Sequence, residues 1–154
     1  MLYLIRHAHA GNKRAWPGPD ELRPLSERGR LQAAAVAGLL AGQPVKRILT
    51  SPTTRCRQTV DPLAVDRRLP VDDEWALAVG APIEHLERLL GDPATDQVAL
   101  CTHGETIAAL FARLDGRLDL AEQPRWQKGS VWLLGGLDGP SPRAAYLPPW
   151  PSSD

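Results

Sequence analysis

Apolar residues in this chain fall into two kinds of run. LYLI (2–5), RILT (47–50) and QVALCT (97–102) are short and little interrupted, the pattern of strands covered on both faces. Elsewhere they recur at helical spacing. In PLSERGRLQAAAVAGLLAG (24–42), Leu31, Ala35, Gly38 and Leu39 fall at i, i+4, i+7 and i+8, with Ser26 placed to cap the start and Gly42 to stop the helix. The segment after 47–50 predicts a second helix, capped by Ser51 with Pro52 in its first position, where a missing N–H costs nothing. Pro62 leaves open whether that helix runs unbroken to Arg68. A third helix is expected over 82–90. In GETIAALFARL (104–114), Ile107, Leu110, Phe111 and Leu114 repeat at i, i+3, i+4 and i+7. SVWLLGGLDGPSPRAAYL (130–147) predicts two strands about a Gly/Pro turn, and the proline-rich end, about 148–154, reads as a flexible tail.

Strands alternating with helices imply an α/β fold: a three-layer sandwich with a mostly parallel central sheet and helices on both faces. At 154 residues the chain is expected to form one domain over 1–154, large enough to bury its own core. Eighteen basic residues balance eighteen acidic ones, so no overall field favours nucleic acid, and no basic patch interleaved with aromatics does so locally. No window approaches the ~20 apolar residues of a membrane span. Cys56 and Cys101 are too few for a disulfide framework and read as small buried hydrophobes. A cytoplasmic domain is the expectation.

Ligands of open α/β sheets sit beyond the carboxyl ends of the strands. The first strand ends in Arg6-His7, the second leads within one helical turn to Arg55, and 97–102 ends at His103. The topology would bring two arginines and two histidines to one edge. Guanidinium forks hold phosphate oxygens, a neutral imidazole can attack phosphorus, and a protonated one can donate to an equatorial oxygen. His9, two after His7 on an extended segment, also raises a metal reading, but a zinc site needs three or four ligands and only His85 and His103 remain as further histidines. No metal or other cofactor is expected, and His9 reads as a pocket-lining residue.

These residues carry a resemblance. RHAHAG resembles the Arg-His-Gly signature of the histidine phosphatase (phosphoglycerate mutase-like) superfamily, SPTTRCRQT its Ser-Pro-x-x-Arg-x-x-Gln-Thr segment, and CTHGE its second histidine motif. RPLSERGRLQA is similar to the opening of the first helix in the small phosphohistidine-phosphatase (SixA-type) branch, and to histidine phosphatase domains fused behind Nudix hydrolases. KGSVW (128–132) matches that branch more loosely. The resemblance implies a phosphoglycerate mutase-like fold and a metal-independent phosphatase. It implies that His7 attacks the substrate phosphate and becomes phosphohistidine, which water then hydrolyses, while Arg6, Arg55 and His103 hold the transferring group. The implied partner is a phosphorylated small molecule or a protein carrying phosphohistidine.

Several positions depart from the pattern. Ala8 stands where most members have glycine. Ala10 replaces a phosphate-contacting serine or threonine of mutase-like relatives, and their asparagine has no aligned match, since Lys13 stands there with Asn12 one residue early. That argues against a mutase. Where many relatives carry an acid this chain reads DDEWALAVGAP, with Ala78 and Val79 near the expected place and Glu74 close by. Glu105 is the candidate acid, with a carboxylate favouring a helix N-terminus as its alternative role. Lys13, Arg14 and Trp16 form a loop that could contact the rest of a substrate, and most of the tryptophans are assigned to packing. Two further readings stand: a phosphate-pocket binding or regulatory module with little turnover, and a phosphatase of nucleotides or small metabolites.

Overall fold

The computed structural model describes residues 1–120 and 123–152. Six strands, β1 (Leu2–Arg6), β2 (Arg47–Thr50), β3 (Val71–Asp73), β4 (Val98–Thr102), β5 (Val131–Gly135) and β6 (Arg143–Leu147), form one sheet in the order β3-β2-β4-β1-β5-β6. The first four in that order are parallel, while β5 and β6 are antiparallel, as a hairpin requires. Helices α1 (Glu27–Leu39) and α2 (Thr54–Arg67) cover one face, and α3 (Ile83–Gly91) and α4 (Gly104–Arg113) cover the other.

The compact apolar runs are buried on both sides. Tyr3 and Ile5 face the helices α1 and α2, whereas Leu2 and Leu4 face α3 and α4. β4 alternates in the same way, with Ala99 and Cys101 on the first side and Val98 and Leu100 on the second. The β1–β4 register sets Arg6 level with Thr102, so the next residue on each strand, His7 and His103, leaves the sheet side by side. The His7 N–H continues the ladder to the Thr102 carbonyl at 3.0 Å.

Two local expectations are corrected. The buried face of α1 is Gly29, Gln32, Ala33, Val36 and Ala37, not the predicted stripe: Leu31 is exposed, as is Gly38, and Ala35 and Leu39 are only half-buried. A close approach, not leucine content, sets the helix rotation. A Cβ on Gly29 would lie 1.9 Å from the His9 carbonyl oxygen, so only glycine lets α1 seat here. The cap of α2 is Thr53, not Ser51, because Ser51 still belongs to the extended segment and bonds its N–H to the Cys101 carbonyl. Pro62 lies inside α2, which continues past it and ends with Arg68 in the left-handed conformation. The predicted Ser26 cap is present, its hydroxyl accepting from Gly29 N at 3.1 Å. Beyond β6, the Pro151 carbonyl accepts from Gln32 Nε2 at 2.9 Å, which ties residue 151 to α1.

Candidate active site

Arg6, His7, Arg55 and His103, which lie far apart in sequence, meet at the carboxyl edge of the sheet. The His7 and His103 rings stand edge to face with centroids 5.3 Å apart. Both side chains are buried, as is Arg55. His7 Nδ1 lies 2.8 Å from its neighbour's carbonyl, Ala8 O. A carbonyl can only accept, so Nδ1 carries the proton and the lone pair is on Nε2. Burial pushes the His7 pKa well below its ordinary value. The Ala8 hydrogen bond opposes that shift, and the charges of His103, Arg55 and Arg6 add to it. His7 is therefore a neutral imidazole with Nε2 unblocked. Ala8, in the usual glycine position, is fully buried and donates its N–H to Thr59 Oγ1 at 2.9 Å.

His103 caps the start of α4 and is held from behind. Its Nε2 lies 2.8 Å from Ser51 Oγ, and Cys56 Sγ is 3.7 Å away. That leaves Nδ1 as the nitrogen available to a ligand. Both cysteines are free and buried, and burial pushes the Cys101 thiol up. Cys56 is thus more than core filling: it lines the back of His103.

Each arginine is gripped at its tip and left unpaired at its waist. Arg6 Nη1 donates to the Trp126 carbonyl at 2.7 Å, and Arg55 Nη1 and Nη2 donate to the Asp20 carbonyl (2.8 Å) and Oδ2 (3.1 Å). The Nε–H groups of both are buried without a hydrogen-bond partner. Orphaned charged donors of this kind are costly and rare in native proteins unless a ligand completes them. Gly104 permits the approach of Arg6, since a Cβ there would lie 2.9 Å from the guanidinium carbon.

The 3-10 turn Asp20–Leu22 forms a wall. The Asp20 carboxylate bridges Arg55 and Arg23 (Nε to Oδ1, 3.1 Å), and Arg23 Nη1 donates to the Ala10 carbonyl at 2.6 Å. Burial alone would raise the Asp20 carboxyl; the Arg23 hydrogen bond and the charges of Arg55, Arg23 and Lys13 outweigh it and hold the pKa below its usual value. On the opposite side Gly129 N donates to the Arg6 and His7 carbonyls (3.1 and 3.3 Å). Its neighbour Lys128 lies within the field of Arg6, Arg23 and Arg55, and burial together with those charges lowers its pKa. Sequence reasoning assigned no site role to Ser51, Asp20, Arg23 or Lys128. Arg23, Ser51 and Lys128 fall in the RPLSERG, SPTTRCRQT and KGSVW segments that carried the resemblance, and Asp20 in none of them.

The remaining candidates lie at the rim. Glu105 is exposed in the first turn of α4, where its charge supports that of Arg6. The Glu74 carboxylate accepts from Ala76 N at 3.0 Å, capping the 3-10 turn Trp75–Leu77. His9 Nδ1 lies 2.6 Å from Ser26 Oγ at the head of α1. Lys13 and Arg14 are exposed on a 3-10 turn capped by Asn12, and Trp16 Nε1 donates to the Pro19 carbonyl at 2.9 Å. Trp126 and Trp132 pack around Phe111, whereas Trp75 is exposed. Among the described residues no three His, Cys, Asp or Glu side chains gather as a metal-ligand set.

Two histidines and two half-satisfied arginines thus gather at one sheet edge, and sequence comparison supplies a class. A profile of the histidine phosphatase superfamily (branch 1) matches residues 2–78. The chain belongs to that superfamily. It is 30% identical over 154 residues, 95% of its length, to an 8-oxo-(d)GTP phosphatase of Mycolicibacterium smegmatis, and spans 47% of that protein. SixA of Agrobacterium tumefaciens is similar in structure, with a TM-score of 0.75 at 28% identity over 96% of this chain and 97% of that one. The protein histidine phosphatase SixA complexed with tungstate shares the fold, with a TM-score of 0.76 at 18% identity over 96% and 94%. The fold is phosphoglycerate mutase-like, as expected.

Proposed function

We propose that this protein is a metal-independent phosphatase that passes a phosphoryl group from its substrate to His7 and then to water. One observation carries the reading: a neutral histidine with Nε2 unblocked lies beside two arginines whose buried Nε–H groups lack partners. In the first step the Nε2 lone pair forms the N–P bond as the P–O or P–N bond to the leaving group breaks. Arg6 and Arg55 donate through Nε to the equatorial oxygens, and His103 donates through Nδ1. In the second step water forms a P–O bond and gives its proton to the Glu105 carboxylate left by the first step, as the N–P bond breaks and its electrons return to His7 Nε2. Glu105 is the candidate to protonate the leaving group.

The substrate is a phosphomonoester or a phosphohistidine. Imidazole leaves readily, with a free pKa of about 6.5, and so makes the least demand on a rim carboxylate. A nucleotide substrate is the second reading, favoured by the 30% identity to an 8-oxo-(d)GTP phosphatase. Phosphate release should be measured for an aryl phosphate, a panel of nucleotides and phosphohistidine, with wild type and His7→Ala side by side. The reading expects turnover that chelator leaves intact, an acid-labile phosphoenzyme in the wild type, and neither in the variant. Tight phosphate binding with no turnover on any substrate would favour the binding module instead.

A further inference from the structure

We propose that Asp20 is a positioning residue which turns Arg55 side-on to the phosphoryl group and restrains how tightly the pocket holds a phosphate that is not reacting. The inference rests on the phosphatase reading above and adds a residue to it. A guanidinium can hold an oxyanion by the edge made of its two terminal nitrogens or by the edge that includes Nε. In Arg55 both terminal nitrogens bond the same residue, Nη1 to the Asp20 carbonyl at 2.8 Å and Nη2 to its carboxylate at 3.1 Å. The terminal edge is filled, so only the Nε edge, buried and unpaired, is left for a ligand. Asp20 thereby selects one of two binding modes.

The contact is anchored, unlike a loose surface pair. Arg55 and Arg23 are 3% and 8% exposed, and the second carboxylate oxygen bonds Arg23, whose tip is fixed to the Ala10 carbonyl. One carboxylate thus joins the first turn of α2 to the loop that leaves the nucleophile. Its charge also opposes an incoming dianion. The two effects have opposite signs. Losing the restraint costs catalysis, because Arg55 can then swing to its terminal edge. Losing the charge strengthens binding of free phosphate.

The test uses the whole chain, with inorganic phosphate titrated by calorimetry and as an inhibitor of aryl phosphate hydrolysis. In Asp20→Ala, kcat should fall about tenfold while phosphate binds about fivefold more tightly. Asp20→Asn keeps an oxygen for Arg55 and lacks the charge. It should recover most of kcat and still bind phosphate more tightly than wild type. A fall in kcat with weaker phosphate binding would mark Asp20 as merely structural and overturn the proposal, as would no change in either quantity. Should Asp20→Ala fail to fold, Asp20→Asn decides alone: tighter phosphate supports the proposal, and unchanged or weaker binding refutes it. A wild type that neither binds nor releases phosphate would instead refute the phosphatase reading itself.

Discussion

The two histidine-bearing strand ends look alike in sequence, each a buried strand running into an imidazole, yet they hold their rings by different chemistry. His7 is tied through Nδ1 to a backbone carbonyl, which can only accept. His103 is tied through Nε2 to the hydroxyl of Ser51, which can accept or donate. The carbonyl fixes one tautomer and keeps a lone pair outward. The hydroxyl accommodates both the neutral and the charged ring. A nucleophile needs the first arrangement. A group that meets growing negative charge needs the second. On the function proposed above, that difference in partners divides the roles of two otherwise equivalent histidines.

The comparison can be broken in order of severity. Replacing His7 with alanine should lower kcat at least about 10⁴-fold, with no phosphoenzyme trapped. His103→Ala should cost about 10²-fold, the scale of one lost oxyanion donor, and should still form phosphoenzyme, slowly. Equal losses in both, with phosphoenzyme absent from both, would show that the roles are not divided in this way. Ser51→Ala should cost about tenfold in kcat and leave the phosphoenzyme detectable, because the Ser51 hydroxyl holds His103 and not His7.

The smallest effect concerns stability. His7 is held below its ordinary value of 6.5 by burial first of all. Above that value neither folded nor unfolded chain carries a proton there, and the group contributes no pH dependence. As pH falls below it the unfolded chain takes up the proton and the folded chain does not, so stability declines. Urea unfolding of wild type should lose stability between about pH 7 and pH 5 more steeply than that of His7→Gln.

Legibility followed burial. The strands β1 and β4 were readable because uninterrupted apolar runs have one good home, and the strand ends then located Arg6, His7 and His103 without any further information. Arg55 came from the same logic with help from its motif. What escaped was set by close contacts that sequence patterning does not weigh. The rotation of α1 is fixed by the fit of Gly29 against a carbonyl, so the leucine-led stripe was one step off. Ser51 resembled a helix cap because serine before proline commonly is one, yet its hydroxyl serves a histidine 52 residues away. Asp20 and Lys128 drew no reading of their own, since nothing local tells a loop carboxylate that it will meet a buried guanidinium. The edge strand β3 has only three residues, two of them exposed aspartates, and offered no apolar pattern to recognise.

The placement of β1 and β4 has a consequence for how the molecule breathes. Each is flanked by strands on both sides, so their amides can exchange with solvent only when the sheet itself opens. The turns at 13–15 and 20–22 are held by single-turn bonds and a few side chains, and their amides should trade hydrogen for deuterium orders of magnitude sooner. The strands that carry the histidines are thus the slow part, and the two imidazoles keep their spacing until the sheet itself opens.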